Sequence, residues 1–315
     1  MRARRDVGSL PGRRDDAYRV GLAVEGGGMR GVVSGAMLTA LRDMGYADAF
    51  DAVYAFSAGA INSAYFVAGG GWEALSVYYD NLVGTEFIDP WRAVRGLPVI
   101  SMDFVIDEVL ETLNPLDYDA ALSAHQELHV VVSSVNTLRP RTVATFTGKE
   151  HLRTILRATC CLPVVGGPLV PYDDDLLLDG GVLRAHPMTT AIDDGCTHVV
   201  VIGGQPGRPP RPRPSAVERF VAFRLEHARA GLGGAFLATM AERADVDRLI
   251  DRAAAAPDNG PPFLLGISCD PGAHEVGRFT RDRGKLLQGL RAGYSAAVRT
   301  FEERPVTTFL RPTLR

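Results

Sequence analysis

Residues 18–31 of the chain read YRVGLAVEGGGMRG, an apolar run that ends in a cluster of glycines. The apolar run predicts a β-strand, and the glycines after it predict a tight turn. Beyond the turn, Val33, Met37 and Leu41 recur at the spacing of one face of an α-helix. The segment therefore predicts a strand–turn–helix unit, from which α/β folds are built.

The alternation of strand and helix continues along the chain. Residues 51–56 predict a second strand and residues 58–67 a second helix. Further strands are expected at 128–133, 142–146, 175–178 and 198–202, with Pro140 in the turn before the second of these. The last strand is apolar throughout, as expected when both faces are covered. The pattern predicts an α/β fold with a mostly parallel sheet and helices on both sides.

The domain organisation follows from composition along the chain. Residues 1–17 carry few apolar side chains and are expected to form a flexible tail, and residues 18–315 are expected to form a single domain. Residues 205–214 hold five prolines and three arginines, which predicts an extended surface loop. The loop is interpreted as a solvated connector, with contact to anionic lipid head groups as the alternative. A helical C-terminal region follows, and its first helix begins after Ser215, which has capping-box spacing with Glu218.

Composition and charge exclude several classes of protein. The chain has 315 residues, of which 46% are hydrophobic, and a formal net charge of −3. This charge excludes a strongly basic nucleic-acid-binding domain, so we expect no nucleic-acid partner. No apolar run approaches the roughly 18 residues that cross a bilayer, and we expect no secretory signal. The four cysteines lack paired spacing, which predicts reduced thiols, no metal site and a cytoplasmic protein.

The glycine cluster allows two interpretations. Gly26, Gly28 and Gly31 match the dinucleotide-binding pattern, in which backbone N–H groups approach a pyrophosphate. That pattern also needs an acidic residue at the end of the second strand, to bind the ribose. Here the acidic residue, Asp51, lies at the start of the strand. The cluster is therefore interpreted as a set of oxyanion donors, and an NAD(P)-binding oxidoreductase is the alternative.

Ser57 stands where the second strand meets the second helix. A nucleophilic serine on such a turn needs small neighbours two residues before and two after, and Ala55 and Gly59 meet that need. The alternative is that Ser57 only caps the helix, as serines at helix starts commonly do.

Asp179 ends an apolar strand and is followed by Gly180 and Gly181. A carboxylate held rigidly by such a turn can remove a serine proton directly when burial raises its pKa. Two alternatives stay open, an ordinary turn and a triad completed by His186.

In this order along the chain, the motifs resemble those of the patatin-like phospholipase family, specifically its bacterial serine acyl hydrolases. They are Gly-Gly-Gly-x-Arg-Gly at 26–31, Ala-x-Ser-x-Gly at 55–59 and Asp-Gly-Gly at 179–181. Residues 156–163 and Pro187 are also similar to the family, so the resemblance covers roughly residues 18–210.

The resemblance implies a three-layer α/β/α fold and a Ser-Asp dyad without a catalytic histidine. Ser57 would form the acyl-enzyme, and Asp179 would activate first the serine and then a water. An oxyanion hole would come from Gly26, Gly27, Gly28, Met29, Arg30 and Gly31, with Arg30 also steadying the loop or meeting a lipid phosphate. Ala55 departs from the glycine that is usual at its position.

We therefore expect a serine acyl hydrolase that cleaves ester bonds of phospholipids, lysophospholipids or related acyl esters. Its partners would be a lipid or acyl-ester substrate and, through peripheral contact, a membrane surface; no cofactor is implied. A member of the same fold that binds a lipid or a partner without turnover is the alternative.

Overall fold

The computed structural model describes residues 1–162, 165–203, 214–255 and 260–302. Within these ranges eight strands form one sheet, in the order β5-β6-β3-β2-β1-β7-β8 with β4 also paired to β3. They are β1 (Val20–Val24), β2 (Ala52–Ala55), β3 (Glu127–Ser134), β4 (Arg139–Val143), β5 (Val170–Tyr172), β6 (Asp175–Asp179), β7 (His198–Ile202) and β8 (Phe263–Ile267). The strands β3, β2, β1, β7 and β8 run parallel, whereas β4, β5 and β6 pair antiparallel with their neighbours.

Helices cover both faces of this sheet. The described α-helices are α1 (Arg2–Asp6), α2 (Gly31–Asp43), α3 (Ala58–Val67), α4 (Trp72–Ser76), α5 (Tyr118–Leu122), α6 (Lys149–Cys160), α7 (Pro187–Asp193), α8 (Ala216–Ala228), α9 (Leu232–Ala255) and α10 (Arg283–Glu302). Two π-helical segments, Val77–Asn81 and Phe104–Leu113, and 3₁₀ turns at Gly28–Arg30, Ala47–Ala49, Pro90–Arg95 and Gly180–Val182 complete the regular structure of the described residues.

Alternate side chains of the central strands enter opposite hydrophobic cores. Leu22 and Val24 of β1 pack in the larger core with α2, α3, α6 and α10, whereas Ala23 packs in a second core with α7 and α9. A third cluster joins α8 and α9 to β6 on the second face. Both faces of β1 are fully buried, which explains its continuous apolar sequence. The predicted three-layer α/β/α fold with a mostly parallel sheet is confirmed.

The position of β4 differs from the prediction. The strand begins at Arg139 rather than Thr142, and Pro140 lies within it, opposite Ser133 of β3, while the turn occupies residues 135–138. Within the described residues β4 pairs with β3 alone, and a strand at an edge tolerates a proline because one row of its N–H groups needs no partner.

The N-terminal segment also differs from the expected flexible tail. It contains α1, and the Arg4 side chain is only 5% exposed. The Arg4 guanidinium donates to Asp16 at 2.8 Å and to Asp51 at 2.9 Å. Asp51 also accepts from Arg14 at 2.7 Å and from the Val20 backbone at 2.8 Å. Charged contacts therefore hold the N-terminal segment against the domain. The segment has few apolar residues, so its packing could not be predicted from hydrophobicity.

The C-terminal region is helical, as expected, and α8 begins with the predicted capping box of Ser215 and Glu218. It also contains β8, which was not predicted because five mostly apolar residues, FLLGI, can equally belong to a helix. Residues 205–213 of the Pro/Arg-rich loop, and Pro163, lie outside the described residues. No helix within the described ranges has both the length and the apolar character needed to span a membrane.

Candidate active site

Ser57 occupies the turn between β2 and α3, at the carboxyl end of the parallel strands. Its φ of 54° and ψ of −139° are unusual for a residue with a side chain, and such strain typically costs about 1–3 kcal/mol. The Ser57 side chain does not cap α3; it interacts with the Asp179 carboxylate and lowers the pKa of that group. The turn thus has the form of a nucleophile elbow rather than of a helix cap.

The neighbours of Ser57 are small because backbone approaches closely on both sides. A Cβ on Gly59 would lie 2.5 Å from the Val24 carbonyl oxygen, and a Cβ on Gly26 would lie 2.6 Å from the Ser57 Cβ. Neither position has room for a methyl group. Ala55 differs, since its methyl group is completely buried within the larger core. The departure from the family glycine at position 55 is therefore accommodated by packing.

The register of β3 explains why Asp179 reaches Ser57. Val130 of β3 pairs with Ala55 and with Val143, and Val132 pairs with Asp179 and with Arg141. Because β4 occupies one edge of β3 at both positions, β2 and β6 must share the other edge. The end of β6 therefore meets the end of β2. This arrangement places Asp179 beside the turn that carries Ser57.

The Asp179 carboxylate is buried and held by its own turn. Gly181 N–H donates to Asp179 Oδ1 at 2.8 Å, and the Ser133 hydroxyl donates to the Asp179 carbonyl at 2.8 Å. A Cβ on Gly180 would lie 2.3 Å from the Val131 carbonyl oxygen, so only glycine fits there. Burial raises the pKa of Asp179 above its ordinary 3.8, although the Ser57 side chain and the hydrogen bond from Gly181 N–H act in the opposite direction. A carboxylate with a raised pKa is a stronger base toward a hydroxyl.

The Thr159 hydroxyl holds the elbow in place through hydrogen bonds. This role was not predicted from the sequence. The Ser57 N–H donates to Thr159 Oγ1 at 2.9 Å, and this hydroxyl donates to the Val131 carbonyl at 2.6 Å. Thr159 therefore connects the elbow to β3. The one sequence signal for this role was that Thr159 lies in segment 156–163, which resembles the family. No spacing rule links position 159 to position 57.

The glycine cluster contributes fewer donors than predicted. Met29 N–H donates to the Arg278 carbonyl at 3.1 Å, Arg30 N–H to the Gly27 carbonyl at 3.2 Å, and Gly31 N–H to the Gly28 carbonyl. These three bonds correct the prediction that the backbone of Met29, Arg30 and Gly31 belongs to the oxyanion hole. The N–H groups of Gly26, Gly27 and Gly28 have no acceptor among the residues that the structure describes. The Arg30 side chain folds back over Gly27.

The dinucleotide alternative finds no acidic residue at the required place. The carboxylate of Asp51 is bonded to Arg4 and Arg14 at the start of β2, the end away from the glycine cluster. The ribose-binding position that follows β2 is instead occupied by the Ser57 turn.

The histidines of the chain do not complete a triad. His186 Nδ1 accepts from the Met188 backbone at 3.0 Å, and His186 Nε2 is buried without a partner in the described ranges. Desolvation lowers the pKa of His186 to about 4, so it is neutral at neutral pH. In the described part of the structure, none of His198, His227 and His274 forms a hydrogen bond with Ser57 or Asp179.

One group of side chains has the composition of a metal site, but it lies at the other end of the sheet. Glu127, His129 and Asp194 bring their ligand atoms within 4.8 Å of one another. The Arg19 guanidinium already donates to Glu127 at 2.7 Å and to Asp194 at 2.8 Å. These carboxylates are therefore neutralised by an arginine, and the group fits an ion-pair network better than a metal site.

The family model described as Patatin-like phospholipase matches residues 22–192. The protein named Uncharacterized protein YjjU from Escherichia coli (strain K12) is 26% identical over 193 residues, which is 60% of this chain and 53% of YjjU. The match thus spans about half the length of that relative. The crystal structure of VipD from Legionella pneumophila has a TM-score of 0.47 at 12% identity, over 91% of this chain and 67% of VipD.

The family match includes the glycine cluster, the elbow and the aspartate turn, and it extends over more than half of the chain. The fold brings these same motifs together at one end of the sheet, after β1, β2 and β6. This chain belongs to the patatin-like phospholipase family.

Proposed function

We propose that this protein is a serine acyl hydrolase that cleaves ester bonds of phospholipids, lysophospholipids or related acyl esters. The observation that carries the proposal is the pairing of a strained Ser57, at the turn after β2, with a buried Asp179 carboxylate whose pKa the Ser57 side chain lowers. Ser57 is partly exposed whereas Asp179 is buried, so a substrate can reach the nucleophile while the base stays desolvated.

In the acylation step Ser57 Oγ attacks the ester carbonyl carbon as its proton passes to Asp179. The carbonyl oxygen becomes an oxyanion, to which the N–H groups of Gly27 and Gly28 would donate. Removal of one such donor typically costs about 3–4 kcal/mol of transition-state stabilisation. The tetrahedral intermediate then collapses, the bond to the alcohol oxygen breaks, and Asp179 returns the proton to the leaving alcohol.

Deacylation repeats these steps with water. Asp179 takes a proton from the water as its oxygen attacks the acyl carbon of Ser57. The tetrahedral intermediate releases the serine oxygen, which recovers its proton from Asp179, and the carboxylic acid product leaves. No histidine is needed, because one carboxylate acts as base and then as acid in both halves.

Contact with a membrane surface forms a second part of the proposal. Val217, Phe220 and Phe223 recur along α8 and are 71%, 54% and 58% exposed. Arg219 and Arg224 lie on the same helix and are also exposed. An apolar stripe flanked by cations suits an anionic bilayer surface. We expect Phe220→Ser/Phe223→Ser to reduce co-sedimentation with phosphatidylglycerol vesicles; equal sedimentation of variant and parent would reject this surface.

The hydrolase proposal is tested with a fluorophosphonate probe and intact-mass measurement. We expect one adduct on the parent protein and none on Ser57→Ala. Ser63→Ala is the matched control, because Ser63 is a buried serine of the same helix and its loss leaves the dyad in place. A folded parent protein without an adduct would favour a family member that binds without turnover.

A further inference from the structure

A loop from outside the matched family region closes over the glycine cluster. The Arg278 carbonyl accepts Met29 N–H at 3.1 Å, and a Cβ on Gly28 would lie 2.7 Å from the same oxygen. Gly28 itself has a φ of +58°. The backbone of Arg278 is therefore fixed beside Gly28 and Met29 of the glycine cluster, where the proposed oxyanion donors lie.

The Arg278 guanidinium interacts electrostatically with Asp179 and has no hydrogen-bond partner among the described residues. Arg278 is exposed, although partial desolvation by the surrounding protein lowers the pKa of its guanidinium. Glu25, Asp179 and Glu218 act on it through longer-range attraction. Among the described residues no carboxylate lies within ion-pair distance of this guanidinium.

A second arginine approaches the same place from α9. Arg243 lies 3.6 Å from the Glu25 carboxylate and donates to the Gly181 carbonyl at 3.4 Å, both long contacts. Its Nε is buried and has no hydrogen-bond partner in the described part of the chain. Arg243 and Arg278 repel each other, and both act on Asp179. Arg243 beside the Asp179 turn and Arg278 beside the glycine cluster thus bring donors that are not fully used to two sides of the site, and guanidinium groups suit the oxygens of a phosphate or carboxylate.

We propose that Arg278, supported by Arg243, forms a cationic subsite for an anionic oxygen group of the substrate, a phosphate or a carboxylate near the scissile ester. The inference rests on the proposed hydrolase function and names the substrate class of that site. The contribution of such a group is specificity: an ester with a nearby anion binds better than a neutral ester with the same acyl chain.

An alternative role for Arg278 is purely electrostatic, because its charge also lowers the pKa of Asp179. The two roles differ in one respect. A change in the base alters the rate with every ester by the same factor, whereas a lost subsite alters only the anionic esters. The ratio of kcat/KM for paired anionic and neutral esters therefore separates them.

The experiment compares two substrate pairs. The first is oleoyl lysophosphatidic acid against monooleoylglycerol, and the second is the p-nitrophenyl monoester of succinate against p-nitrophenyl butyrate. We expect Arg278→Gln to lower the anionic-to-neutral ratio by about 10–100-fold, the typical value of a charged hydrogen bond. A fall in the first pair identifies a phosphate and a fall in the second a carboxylate. Arg278→Lys should recover part of the ratio.

Arg291→Gln is the matched control, since Arg291 is exposed on α10 and undergoes the same chemical change. Isothermal titration with inorganic phosphate and with succinate gives a reading that needs no turnover. Weaker binding of either anion by Arg278→Gln than by Arg291→Gln supports the subsite. Unchanged ratios in both pairs together with unchanged anion binding overturn it. Failure of the hydrolase proposal is separate, because it appears as a parent protein that neither reacts with the fluorophosphonate nor hydrolyses any of the four esters.

Discussion

Replacing Thr159 by valine removes one hydroxyl and keeps the shape of the side chain. In the structure this hydroxyl accepts Ser57 N–H at 2.9 Å and donates to the Val131 carbonyl at 2.6 Å, and Thr159 is fully buried. Thr159→Val therefore leaves a donor and an acceptor without this partner. Each buried donor or acceptor that is left unpaired costs about 1–3 kcal/mol, so we expect the free energy of unfolding to fall by roughly 2–4 kcal/mol.

The loss is measurable as a melting temperature and as a rate. A chain of this size loses about 2 °C for each kcal/mol, so we expect a fall of about 4–8 °C by calorimetry. Hydrolysis of p-nitrophenyl butyrate should slow by about 10–100-fold, because displacement of a nucleophile by about an ångström has effects of that order. Both effects have one cause, the release of the Ser57 turn from β3.

Thr159→Ser is the control, because it keeps the hydroxyl and loses only a buried methyl group, worth about 1 kcal/mol. We expect its rate to stay near that of the parent protein. A valine variant that melts within about 1 °C of the parent, or a serine variant as slow as the valine variant, would refute the role assigned to the hydroxyl.

Three further predictions follow from the site. Because the folded-state pKa of Asp179 is raised, the folded protein binds a proton that the unfolded chain has released, and stability falls as pH rises above about 4. Asp179→Asn should therefore be inactive but more resistant to urea than the parent at neutral pH, with the gain shrinking toward pH 4; equal urea midpoints at both pH values contradict a buried charge. The parent kcat/KM should rise with pH through the raised pKa of Asp179, and a rate independent of pH across that range excludes this residue as the base. Ala55→Gly should lose about 1–2 kcal/mol in urea unfolding, from a buried methyl group and added backbone freedom, with a rate within about threefold of the parent; a tenfold faster variant would show that Ala55 limits turnover.

Much of the fold could be predicted because its central strands are buried on both faces. The strands β1, β2 and β7 and the helices α2 and α3 appear where their apolar patterns placed them. The strand β8 carries a weaker signal, since a short apolar run such as FLLGI does not distinguish a strand from part of a helix. The packing of residues 1–17 was not predicted, because it depends on charged pairs such as Arg4 with Asp51 that connect distant parts of the chain.

The candidate site, too, could be predicted only in part. The motifs around Ser57 and Asp179 are local in sequence, so their residue types could be read directly. The roles of Thr159 and Arg278 could not, because each acts on a residue more than a hundred positions away in the chain. For example, the sequence suggests that Met29 N–H is a free donor, and only the fold shows that it donates to the Arg278 carbonyl.

The shared edge of β3 has a consequence for how chains with this fold can vary. β2 and β6 each take their position from the ladder of β3, so insertions or deletions in the loops at 68–71 and 144–148 leave the distance between Ser57 and Asp179 unchanged. A deletion of one residue inside β6 is different, because it turns every following side chain to the opposite face of the sheet. We expect related chains to differ freely in loop length and to keep the spacing from Leu177 to Asp179 without gaps.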